Sequence, residues 1–169
     1  MGTGQMLLAL LALTILASVT ISANQLLLNQ TDTVYGSEAM ITGTAIGQAM
    51  IEEITVKYFD HNVLPPLATD SASAFTPPDQ LGPDASDVPG VDTTYDDISD
   101  YNGFVDSVST PRLGYFRRVC SVYYVDGNGD SSTVQTFYKK IVVVVANPYI
   151  STPAHTLELS DIVSYRYKN

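Results

Sequence analysis

Carboxylates set close together are the first residues that could do chemistry. Asp126-x-Asn128-x-Asp130 lies in a run of turn-forming residues, Gly127 to Ser132, and Asp96, Asp97 and Asp100 fall within Asp96-Asp97-Ile98-Ser99-Asp100-Tyr101-Asn102-Gly103. Clustered oxygen donors suit calcium, a hard cation that takes several oxygen ligands. The first set imitates the start of an EF-hand loop, but the sixth and twelfth places hold Ser131 and Phe137 instead of the required Gly and Glu. The preferred reading of both sets is therefore a solvated acidic turn, with helix-capping chemistry ahead of Ile98. Calcium stays the only cofactor the donor types suggest. The single cysteine, Cys120, excludes an internal disulfide and a multi-cysteine zinc site. It falls in a strand pattern, where a buried apolar role is the default. His61 and His155 have no partner nearby in sequence, and no catalytic set is visible. The expectation is a non-enzymatic protein.

Charge narrows the partners. The 169 residues carry 18 acids and 8 bases, a formal net charge of −10. Phosphate neutralisation needs clustered Lys and Arg, so nucleic acid is excluded as a partner. Arg117-Arg118 and Lys139-Lys140 hold half of the bases. In a hairpin centred near Asn128 the two pairs lie at similar distances from the turn, where like charges repel. Solvation at an edge, docking of the acidic middle of the chain, or an acidic neighbouring subunit would each relieve them.

Four segments position these groups. Residues 1–30 contain no charge; the first is Asp32. Met6, Leu7, Leu8, Leu10, Leu11, Leu13, Ile15, Leu16, Val19 and Ile21 make residues 6–23 long and apolar enough for a transmembrane or filament-core helix. Cleavage of a secretory signal after Ala23 is the rival, with Ile21 at the position that prefers a small residue. Residues 31–59 continue the helix as an amphipathic one. Ala39, Gly43, Ile46, Met50 and Ile54 recur at spacings of three or four, with Met40, Ala45 and Ala49 as a second row. A helix from about 5 to 58 is about 80 Å long. Gly43 and Gly47 form a small-xxx-small pair, suited to close helix–helix approach or to packing on the protein's own sheet. Residues 60–111 hold seven of the nine prolines, ten Asp and no Lys or Arg. That composition opposes regular structure, although Phe75, Leu81, Tyr95, Tyr101 and Phe104 can anchor it to a core. Residues 112–169 read as an antiparallel meander of three strands: Leu113 to Asp126, Thr133 to Ala146, and Thr156 to Tyr167 with a break at Ser160-Asp161. The fold class is α+β, a long N-terminal helix packed on a small antiparallel sheet.

A short uncharged leader, an apolar N-terminal helix, its amphipathic continuation and a sheet-rich acidic C-terminal domain together resemble the type IV pilin and pseudopilin superfamily. Ala45-Ile46-Gly47-Gln48-Ala49-Met50-Ile51-Glu52-Glu53 is similar to the end of the long helix in minor pilin-like proteins. Tyr58-Phe59-Asp60 and the Asp96 to Gly103 turn add to the likeness. The resemblance implies cleavage after Gly4, leaving Gln5 first; Ala9 then stands fifth, where the family usually has Glu. It further implies a structural subunit of a type IV filament or type II secretion system, single-pass in the bacterial inner membrane. Its C-terminal domain would be periplasmic or extracellular, and its partners membrane lipid and other pilin-like subunits or copies of itself. The alternatives are an anchored envelope binding module that does not polymerise, and a secreted domain released by signal cleavage.

Overall fold

In the computed structural model, which describes residues 2–64 and 69–165, Thr3–Thr55 forms one continuous helix, α1. No proline interrupts it. The hydroxyls of Thr14, Ser18 and Thr20 bond back to the carbonyls of Leu11, Ile15 and Leu16, so these three are satisfied within the helix. The helix stops short of the expected residue 58. Tyr58 leaves it to pair with the acidic turn, donating its N–H to Asp96 O at 3.1 Å and accepting the Ile98 N–H at 2.9 Å.

The described side chains before Tyr35 are exposed, and from there one stripe is buried: Gly36, Ala39, Gly43, Gly47, Met50 and Ile54. Its spacing of three and four residues is the helical period. The second expected row is not a core row. Met40 is half-buried, but Ala45 and Ala49 are exposed, because the sheet covers a single stripe of the helix. Gly43 and Gly47 face that sheet. A Cβ on Gly43 would lie 3.6 Å from Ile150 and Phe116, whereas one on Gly47 would lie 2.5 Å from Leu159 Cδ1 and 3.1 Å from Val145 Cγ2. Of the two roles open to the pair, the fold uses close approach to its own sheet.

The sheet has four antiparallel strands in the order β1 (Val105–Thr110), β2 (Gly114–Tyr124), β3 (Tyr138–Ala146) and β4 (Thr156–Ser164). The three-strand reading missed β1, whose sequence VDSVST lies in the segment expected to be irregular. It is a short edge strand with neither face fully buried, so its alternation is between small, mostly polar residues. The strand expected from Thr133 starts only at Tyr138. Thr136 holds the preceding residues out of the ladder by donating its hydroxyl to the carbonyls of Val125 and Tyr138. Ser160 and Asp161 pair in register with Val142 and Ile141, so β4 has no break there. Its expected continuation to Tyr167 lies outside the described residues beyond Tyr165.

α1 packs across β3 and β4. Phe116, Cys120, Val122 and Tyr124 of β2, with Ile141, Val143 and Val145 of β3, bury the face toward the helix. The connecting segment is pinned by aromatic rings. Phe75 packs on Phe59, Phe137 and Tyr165 with centroids 4.9 to 5.6 Å apart, and Tyr95, Tyr101 and Phe104 form a second set. Burial of each large ring contributes roughly 1.5–3 kcal/mol, enough to hold a segment that has only short 3₁₀ turns. One of these turns is Ser99–Tyr101, directly after Ile98.

Candidate functional site

Two surfaces stand out: the bare half of α1 and an acidic cleft at the far end of the helix. Met6, Leu7, Leu8, Leu10, Leu11, Leu13, Ile15, Leu16, Val19 and Ile21 are each 55% to 69% exposed, and Leu26, Leu27 and Leu28 prolong the strip. No residue of the most apolar window is buried within the protein, and the helix is long and apolar enough to cross a membrane. An exposed apolar surface of this extent requires lipid or protein around it. Gly4 and Gln5 lie in the first turn, open on all sides, with the Gln5 N–H bonded to Gly2 O at 2.9 Å.

The expected oxygen sets fare differently. Asp126 turns its carboxylate onto its own loop, where Oδ1 accepts the N–H groups of Asn128 at 2.8 Å and Asp130 at 3.0 Å. Those backbone bonds hold Asp126 below the usual carboxylate range. The Asp126 carboxylate is thus occupied by its own turn. Asp96, Asp97 and Asp100 are instead joined by residues remote in sequence, His61 with the first two and Asp84 and Asp87 with the third. Asp100 Oδ2 accepts the N–H groups of Asp96 at 3.1 Å and Asp97 at 2.9 Å, and Asp97 Oδ1 accepts that of Ser99 at 2.5 Å. The carboxylates close the turn on itself, but Ile98 at the head of the Ser99–Tyr101 turn has no side-chain cap, and Asp97 and Asp100 are buried where a solvated acidic turn was expected.

His61, which has no partner nearby in sequence, sits between carboxylates brought from elsewhere in the chain: Nδ1 is 2.7 Å from Asp84 and 3.7 Å from Asp96. Burial pulls its pKa down, but Asp84 and Asp96 outweigh that and raise it. Asp84 is held low by its bonds to Ser86. Asp97 and Asp100 are almost inaccessible, and burial pushes them up to about 6 and about 7. These groups border a cleft of about 200 Å³ that Asn62, Thr76, Gln80 and Ser99 also line. His61, raised by Asp84 and Asp96, faces this cleft, and of its acids Asp97 and Asp100 are the two pushed up by burial. The other histidine, His155, bonds Ile150 O through Nδ1 at 3.0 Å.

Sequence reasoning missed the residue at the centre of this end. Lys139 is fully buried under the acidic segment. Its Nζ donates to Phe59 O at 2.7 Å, Asp60 Oδ2 at 2.8 Å and Ser99 Oγ at 2.6 Å, and lies 4.6 Å from the Phe59 ring centre and 5.2 Å from that of Tyr124. Asp60, also fully buried, accepts from Asn62 N, Thr76 N, Thr76 Oγ1 and the Tyr124 hydroxyl. A signal was present: Lys139 shares the inward alternation of Ile141, Val143 and Val145. The feared clash of like charges does not occur, because Arg117 and Arg118 stand opposite Ala146 and Val145, and Lys139 opposite Tyr124. Arg118 pairs with Asp106 across β1 and β2. Buried Lys139 and half-buried Arg118 are thus each paired with an acid of the middle segment.

Compared with protein-family models, curated proteins and solved structures, the chain matches none.

Proposed function

We propose that the chain is a non-enzymatic, pilin-like or pseudopilin-like structural subunit, stored in a bacterial inner membrane by the first half of α1. The head lies on the periplasmic or outer side, and the helix passes into a filament core formed with other such subunits or with copies of itself. One observation carries this reading: in a single continuous helix none of the described residues of the apolar half is buried, while the other half is packed on the sheet. The same rod then serves as membrane anchor and as filament strut. The anchored binding module that does not polymerise remains the second reading, favoured by the cleft at the end of the head remote from the apolar half.

Cross-linking separates the two. Cys120 is fully buried and its thiol is pushed up to about 12 by burial, so a cysteine introduced at Leu13 is the reactive one. In membranes from cells with the complete assembly system, Leu13→Cys yields disulfide-linked dimers and mixed products if the helices bundle. Monomer alone refutes assembly. The N-terminal sequence of native protein from membranes tests anchoring separately. A start at Gln5 supports prepilin-type processing, and a start at Asn24 removes the anchor and refutes the proposal.

A further inference from the structure

We propose that the head closes an intramolecular isopeptide bond between Lys139 and Asp60, the side-chain nitrogen condensing with the Cγ carboxyl and one water leaving. The two groups stand 2.8 Å apart with no solvent exposure, in a box whose walls are the Phe59 and Tyr124 rings. A buried ion pair suffers a desolvation cost of several kcal/mol per ion, and an amide removes both charges. Holding amine and acid in one geometry supplies a very high effective concentration, on the order of 10⁵ M or more. Burial also favours the neutral amine, the form that attacks.

The surrounding bonds assign the atoms. Oδ1 of Asp60 accepts Asn62 N–H at 3.2 Å and Thr76 Oγ1 at 3.0 Å, while Thr76 N–H is shared between Oδ1 and Oδ2 at 3.0 Å each; the two bonds made to Oδ1 alone polarise it as the carbonyl that remains. Oδ2, bonded to Lys139 and the Tyr124 hydroxyl, is the oxygen that departs. Proton transfer within the ion pair first gives amine and carboxylic acid. The Nζ lone pair then forms the N–Cγ bond, and the Cγ–Oδ2 electron pair goes to the departing oxygen. Of the three ammonium hydrogens, two leave with Oδ2 as water and one stays on the amide nitrogen; nothing is oxidised or reduced. Ser99 bonds Lys139 through its hydroxyl and also bonds Asp97, which makes these two the relay for the proton taken from nitrogen. Thr76, Ser99 and Asp97 line the cleft, which gives the water a way out.

Tryptic mapping of the folded, full-length protein by mass spectrometry tests this. The expected result is one branched species joining residues 58–112 to residues 119–140, lighter than the sum of the two peptides by one water. Asp60→Asn should give the same branched product by loss of ammonia, and Asp60→Ala and Lys139→Arg none. Asp97→Asn, with the fold checked by circular dichroism, should slow closure by about a hundredfold. Recovery of the two peptides of the folded wild-type protein separately and at full mass overturns the proposal and leaves a plain buried ion pair.

Discussion

Gly43 and Gly47 are four residues apart on one helix, yet alanine at each should shift stability in opposite directions. Replacing a helical glycine by alanine gains about 1 kcal/mol from backbone propensity. At Gly43 the new methyl meets Ile150 and Phe116 at 3.6 Å, ordinary van der Waals distance, so most of that gain should survive. At Gly47 it meets Leu159 Cδ1 at 2.5 Å and Val145 Cγ2 at 3.1 Å. Leu159 can swing its terminal methyl aside, but Val145 is β-branched and held in the middle of the sheet. Overpacking of this kind costs about 1–3 kcal/mol, which outweighs the propensity gain. Gly47→Ala is therefore expected to lose about 1 kcal/mol net, and the two variants to differ by about 2 kcal/mol. Urea unfolding of the full chain in detergent, followed by circular dichroism because the chain has no tryptophan, reads this directly. The expected separation in Tm is about 4–8 °C. Leu159→Ala should cost less in the Gly47→Ala background than in the wild type. Stabilisation by both alanines would refute the close-approach reasoning.

Leu11→Lys places a charge in the middle of the apolar strip and should cost about 3 kcal/mol of insertion, read as movement of the protein from membrane to soluble or aggregated fractions. The head should be more stable at pH 5.5 than at pH 8. Asp97 and Asp100, with folded values of about 6 and about 7, bind more protons folded than unfolded, so stability falls as pH rises through that range. His61, also raised, acts in the same sense, its contribution being lost as pH rises through its folded value. Asp100→Asn should flatten the profile of Tm against pH, and an unchanged slope would contradict the assignment. Asn147→Ala should lose about 2–3 kcal/mol by urea unfolding, because the side-chain amide donates to Leu113 O and Tyr115 O while its Oδ1 accepts Tyr149 N–H, tying the β1–β2 and β3–β4 connections together.

The helix and the later strands were legible because their signals are periodic. Uncharged residues to Thr31 marked the bare half of α1, and the three-four spacing from Ala39 to Ile54 marked the buried stripe. Strand β2 followed from the aromatic and β-branched run between Leu113 and Asp126. What escaped was set by long-range pairing. β1 carries little apolar signal because it is stabilised by its register with β2 and by Asp106 meeting Arg118. The cleft unites His61, Asp84, Asp97 and Asp100, whose proximity is created by aromatic anchors and not by spacing. Lys139 could be assigned to the inner face from its place in β3, but its acid lies 79 residues away at Asp60, and no local pattern connects them.

An unbroken helix from the first residues to the head behaves mechanically as a lever. With no proline or linker between the two halves, the head has no swivel of its own, and its bearing is set by how its shaft is held. Over about 80 Å, a change of about 10° in the inclination of the shaft displaces the far end by roughly 14 Å, on the 1.5 Å rise per residue. The acidic cleft sits at that far end, where the displacement is greatest. Axial force applied to the apolar half reaches the sheet through the Gly36 to Ile54 seam, and the connecting segment then experiences traction at Tyr58, where the shaft hands over to the acidic turn.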